Sequence, residues 1–185
     1  MSNGAYRLAG ALGVAAVAAL AGRRGSGTQV KMSAQQTAKL VDQVRGLFAT
    51  KDRAYILQGL NLWKMLGQGK PLPLQGLQLN YTDLRGADLR GAHLAGAELW
   101  RADLKGADLT GADLWKASLG RADLRQAKLM GAILQSANLK RSKLHGANLA
   151  GADLRQANLA GAKYDRTTVW PSNVTIRATT VMEQS

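Results

Sequence analysis

The sequence predicts an all-β solenoid over its second half, preceded by N-terminal α-helices. Three observations carry this. Leu recurs at every fifth residue from Leu74 to Leu159 without gap or insertion, and Tyr164 takes the next place. Two residues before each Leu lies a second fixed position, which from Ala87 to Ala162 is always Ala except at Ser142. The chain is 46% hydrophobic but only 5% aromatic, so its core must be built from small aliphatic side chains.

A period of five fits neither common element. On an α-helix each step of five advances by about 140°, which would spread the Leu residues around the whole cylinder. On a strand an odd step sends successive Leu residues to opposite faces. The Gly residues at 86, 91, 96, 106, 111, 131, 146, 151 and 161 would each cost a helix about 1 kcal/mol. All the Leu side chains point inward only if the backbone turns a corner every five residues. Four corners close a coil of twenty, and coils stack at about 4.8 Å, the ordinary strand spacing. Leu fills the middle, and Ala stands where there is room for a methyl. The corner position that carries these Gly residues also carries Arg101, Lys116, Arg121, Gln126, Ser136, Arg141 and Gln156. A corner in the left-handed region would strain such residues, so ordinary backbone angles are expected there.

The units Ala87-Asp88-Leu89-Arg90-Gly91, Ala107-Asp108-Leu109-Thr110-Gly111, Ala147-Asn148-Leu149-Ala150-Gly151 and Ala152-Asp153-Leu154-Arg155-Gln156 resemble the A-[DN]-L-x-x unit of pentapeptide-repeat proteins. The resemblance covers about half the chain. It implies a right-handed quadrilateral β-helix, here of about four to five coils, and it implies little about function. Ala162 to Asp165, followed by Thr168-Val169-Trp170-Pro171, resembles the closing segment of such proteins, but the residues after Pro171 depart from the usual continuation. The expected organisation is an apolar segment and linker over 1–31, capping amphipathic helices over 32–73, the repeats over 74–166, and a C-terminal cap or tail over 167–185.

Leu8 to Gly22 is an uncharged run rich in Ala, Gly, Leu and Val, closed by Arg23 and Arg24. As a helix it reaches about 23 Å, short of a bilayer core of about 30 Å. Three readings fit it. Leu8, Leu12, Val14, Val17 and Leu20 form a membrane segment, with the following basic residues holding the repeats on the cytoplasmic or stromal side. Alternatively the run is an export signal cut near Ala21, which would leave the chain in a periplasm or thylakoid lumen. The third is a soluble Ala-rich helix or an organellar transit peptide. Beyond it, Ser33 has the character of an N-cap, with Leu40, Val41, Val44, Leu47 and Phe48 at helical spacing. A second amphipathic stretch follows Thr50 or Asp52 and carries Ile56, Leu57, Leu60, Trp63 and Leu66. These helices would cover the open first coil, whose backbone groups are otherwise unpaired.

The net charge is +13, with +8 before residue 74 and +5 from 74 to 164. Such an excess favours an anionic lipid or an acidic protein surface. Residues twenty apart should stack in columns. Arg101, Arg121 and Arg141 form one, with Lys140 and Lys143 nearby, and this is the candidate anion-binding site. Arg85, Lys105 and Arg125 form another, but Asp83, Asp103 and Asp123 flank and neutralise it. Trp100, Trp115, Met130 and Ile133 are apolar residues at outward positions and are the candidate partner-docking residues. The sequence contains no Cys. His93 and His145 fall in different columns, and no nucleophile–base set or phosphate loop stands out. No metal, cofactor or small-molecule substrate is therefore expected. The resulting expectation is a non-catalytic scaffold, membrane-associated through its N-terminus, that docks a protein partner such as a membrane complex. An exported binding protein is the alternative. A nucleic-acid-related module is disfavoured: family members that mimic DNA towards gyrase need an acidic surface, and this one is basic.

Overall fold

The computed structural model describes residues 33–66, 71–172 and 181–182. The apolar run from Leu8 to Gly22 lies outside them. Helix α1 spans Ala34–Ala49 and helix α2 spans Arg53–Leu66. Ser33 caps α1 as expected: its hydroxyl accepts from the Gln36 N–H while the Gln36 side chain accepts from the Ser33 N–H. Lys51 takes the left-handed conformation after α1 with φ 58°. The Asp52 carboxylate accepts from the Ala54 N–H at the start of α2. Leu40, Val44 and Phe48 of α1 are buried, as are Ile56 and Trp63 of α2. Leu57 belongs to the expected apolar face but is 40% exposed. A Cβ on Gly59 would lie 3.2 Å from the Phe48 ring, so a larger residue there would require the ring to shift slightly.

The helices pack on the start of the repeats, and their buried side chains form one continuous core with Leu72, Leu74, Leu79 and Leu84. Arg45 donates to the carbonyls of Pro73 and Gln75, which lie on the coil the helices cover. Arg53 donates to the Asp83 carboxylate and to the Arg85 carbonyl. These contacts satisfy groups that an open end of a solenoid would leave unpaired. No helix among the described residues is long and apolar enough to cross a membrane.

From residue 72 onward the chain is a stack of parallel bridges between residues twenty apart, from Pro73↔His93 to Lys143↔Lys163. Each coil thus holds four five-residue units. One unit shows how the pattern satisfies its own backbone. The Ala102 N–H closes a turn onto Leu99 O at 3.0 Å. The Asp103 N–H reaches back to Thr82 O in the preceding coil, and the Leu104 N–H reaches forward to Asp123 O in the next. The Lys105 N–H donates to the carboxylate of its own Asp103 at 3.1 Å. The Gly106 N–H donates forward to Arg125 O at 2.9 Å. All five donors are paired, and the acidic or amide residue before Leu is there because its side chain takes the one donor the ladder leaves over. Leu104 and Ala102 are fully buried, and burying each such Leu contributes about 1.5–3 kcal/mol.

The corner differs from the sequence expectation. Every corner residue is left-handed, the Gly residues and equally Tyr81, Arg101, Lys116, Arg121, Gln126, Ser136, Arg141 and Gln156, with φ from 54° at Arg101 to 68° at Gly151. The turn from Leu to the following Ala needs positive φ at its third residue. Ladder bonds on both sides of the corner hold the chain there whatever the side chain. The ladder also changes register once: Asn148 pairs with Val169, twenty-one residues on. The extra residue lies between Tyr164 and Val169. Asp165 organises it by accepting from the Gly146 and Thr167 N–H groups and from the Thr167 hydroxyl. Strand β1 (Lys163–Tyr164), just before it, pairs in parallel with strand β2 (Val181–Met182).

Candidate functional site

Twenty-residue stacking sorts the outward side chains into columns. In the column of Asp83, Asp103 and Asp123, charge is neutralised as the sequence predicts. Arg85 forms a bidentate pair with Asp83 and reaches Asp103 at 3.6 Å, and Arg125 pairs with Asp123 at 2.6 Å. Hydrogen bonds from Arg85, helped by Arg53, hold the Asp83 carboxyl at about 2, against the opposing effect of burial.

Arg101, Arg121 and Arg141 stack at one corner, and all three are exposed. Their backbone N–H groups are tied into the ladder, donating to Gly120, Lys140 and Ala160 carbonyls at 2.9–3.0 Å. Together with Lys143, Asp103 and Asp123 they line an open groove. The two carboxylates are engaged by Arg85, Arg125 and Lys143, and none of the three arginines forms an ion pair among the described residues. Lys143 lies 3.9 Å from Asp123, so its charge is partly compensated. Lys140 is exposed beside the column. Glu98 accepts from the Asn80 side chain at 2.9 Å.

The four candidate docking residues do not form one patch. Trp115 and Ile133 are each 43% exposed and lie on adjacent coils in neighbouring columns, since the bridge partner of Ile133 is Asp113, two residues before Trp115. Met130 is 38% exposed around the neighbouring corner. The Lys116 ammonium stands 4.3 Å over the Trp115 ring. Trp100 lies elsewhere and is half-buried. Its indole rests on Gly120, where a Cβ would meet it at 3.0 Å, and it meets Tyr81 edge to face at 5.0 Å. The Arg101 guanidinium sits 4.8 Å from its centre. Trp100 is therefore a packed support for the arginine corner and not an exposed anchor.

Tyr81 is the residue that sequence reasoning missed. It is 63% exposed, heads the arginine column, and adopts φ 61°. Its position twenty residues before Arg101 was the available signal. Asn80 was missed for the same reason: its side-chain oxygen accepts from the Trp100 N–H at 2.8 Å. His93 is hydrogen-bonded to Gln75 at 3.0 Å. Among the described residues no three His, Asp or Glu side chains are grouped to hold a metal.

The fold defines a class, parallel solenoids built from five-residue units with a left-handed corner. Residues 74–111, 107–146 and 137–163 match the family described as pentapeptide repeats, in eight copies. The chain belongs to the pentapeptide-repeat family, whose known structures are right-handed β-helices. It is similar to HetL of the cyanobacterium Nostoc sp. strain PCC 7120, a pentapeptide repeat protein involved in heterocyst differentiation regulation. The two are 42% identical over 49% of this chain and 44% of HetL, with a TM-score of 0.39. The match thus spans less than half the length of HetL. A pentapeptide repeat protein of the Arabidopsis thaliana thylakoid lumen is 32% identical over 57% of this chain and 72% of that one, with a TM-score of 0.44. A second Nostoc PCC 7120 protein of the family is 33% identical over 66% and 93%, with a TM-score of 0.37. Among curated proteins, none matches the chain in sequence.

Proposed function

We propose that this protein is a non-catalytic scaffold that docks a partner protein on its solenoid surface. We take each coil to be four-sided, so that its faces present side chains in fixed rows. The observation that carries the reading is the exposed group of Trp115, Ile133 and Met130 on a backbone held rigid by the ladder. Trp and Met are enriched where partners bury a surface, and a rigid frame loses little entropy on binding. The apolar run from Leu8 to Gly22 is read as the means of membrane association, with the solenoid on the cytoplasmic or stromal side. Release near Ala21 into a lumen or periplasm is the second reading, favoured by the small residues around Ala21.

A photo-crosslinking amino acid placed at position 115 in the native host tests the docking reading. One defined protein adduct at 115, absent when the probe sits at Arg90, is expected. Equal labelling at both positions, or none at 115, refutes it. The intact mass of the chain in washed membranes and in the soluble fraction separates an anchored from a processed form.

A further inference from the structure

The four corner columns are not alike. The corner formed by Gly91, Gly111, Gly131 and Gly151 is all glycine, the residue that a left-handed turn prefers. The corner beginning at Tyr81 departs most from this preference, with Tyr81, Arg101, Arg121 and Arg141 at positive φ in four consecutive coils before Gly161 follows. A non-glycine residue in this region costs roughly 1–2 kcal/mol. Strain of this kind, borne in one column by Tyr81 and three successive arginines, marks a surface kept for use. Among the described residues none of the three arginines is in an ion pair, and the carboxylates of Asp103 and Asp123 are engaged by Arg85, Arg125 and Lys143.

We propose that the Tyr81–Arg141 corner is a second docking site, which binds an acidic helical segment of a partner protein through a ladder of carboxylate–guanidinium contacts. The coil pitch sets the ladder at about 4.8 Å per step. Carboxylates three and four residues apart on a helix rise by about 4.5–6 Å, so a row of them along one face keeps pace with Arg101, Arg121 and Arg141. Guanidinium forks bind carboxylates bidentately. Tyr81, with Trp100 behind it, supplies the apolar contact at the head of the row, and Tyr, Trp and Arg are the residues that dominate binding energy at protein interfaces. The site rests on the scaffold reading only in taking a protein as its partner. It lies apart from Trp115, so either site can fail alone.

The test uses Arg101→Gly, Arg121→Gly and Arg141→Gly combined in the full chain. Glycine suits the corner, so this variant should melt no lower than the parent, and a lower melting temperature would overturn the strain argument. The probe is a labelled Ala-based peptide with Glu at alternating spacings of three and four. Its control has the same composition with Glu spread around the helix, and both are measured by fluorescence anisotropy. The facial peptide should bind about tenfold more tightly than its control, lose that advantage with the triple variant, and keep it with Lys116→Gly. Its binding should weaken as salt rises. Equal binding of the two peptides, no binding, or binding unaffected by the triple variant refutes the proposal. So does stronger arginine-dependent binding of single-stranded DNA or anionic vesicles. In any of these cases an undiminished adduct at position 115 would leave the scaffold reading in place.

Discussion

Replacing Ser142 by Ala should stabilise the solenoid. Ser142 occupies the inward Ala position and is fully buried, and its hydroxyl has no hydrogen-bond partner. An unsatisfied buried hydroxyl costs about 1–3 kcal/mol. The backbone bonds of Ser142, from its N–H to Leu139 O and from the Lys163 N–H to its carbonyl, do not depend on the side chain. Removing the oxygen leaves a methyl of nearly the same volume, as at Ala122 one coil earlier in the same column. A gain of about 1–2 kcal/mol is therefore expected, and for a chain of 185 residues each kcal/mol is worth about 2–4 °C in melting temperature. Thermal unfolding followed by far-UV circular dichroism reads it directly. Thr168→Val supplies the opposite sign. That hydroxyl is also buried, but it donates to Leu144 O at 2.9 Å and accepts from the Asp165 N–H at 3.2 Å, so its loss should lower the midpoint. A Ser142→Ala midpoint equal to or below the parent's would refute the reasoning.

Two further predictions concern the corners and the acid limb. Gly106 has φ 67° and open space around its missing Cβ, so Gly106→Ala should cost about 1 kcal/mol from backbone strain alone, while Gln126→Gly should be neutral or stabilising; urea midpoints check both. Asp83 and Asp165 titrate at about 2 in the folded protein, held down chiefly by Arg85 and Thr167 hydrogen bonds respectively, against an ordinary value of 3.8. Their folded values are depressed, so their stabilisation is complete above pH 4 and is lost as pH falls towards 2. Urea midpoints measured across that window should fall with pH, and Asp83→Asn should flatten the slope.

The five-residue rhythm made the solenoid legible because only a turning backbone keeps every Leu inside. Columns followed from arithmetic, and with them the pairing of Arg85 with Asp83 and the isolation of Arg121 and Arg141. The corner angle was not legible. Reasoning from Arg101 and Lys116 assumed that side-chain preference decides the backbone, whereas ladder bonds such as Arg121 N–H to Lys140 O override it. Trp100 was misjudged because outward position is not exposure. Gly120 stands one residue after a core Leu, a place it shares with no other glycine from Arg85 to Ala160, and lies twenty residues beyond Trp100. It was the visible sign of an indole packed upon it. The register change after Tyr164 was hidden because a single added residue leaves the spacing of the earlier units intact.

The coil of four units gives insertions and deletions a hidden grammar. Loss of five residues leaves the Leu core and every turn in order, so the protein still folds. It nevertheless slides all later side chains by one column, and Arg141 would no longer stand over Arg121. Loss of twenty shortens the rod and keeps its surface in line. Related chains that differ in length by a multiple of twenty can share a partner, whereas those differing by an odd five keep the same core under a reshuffled face.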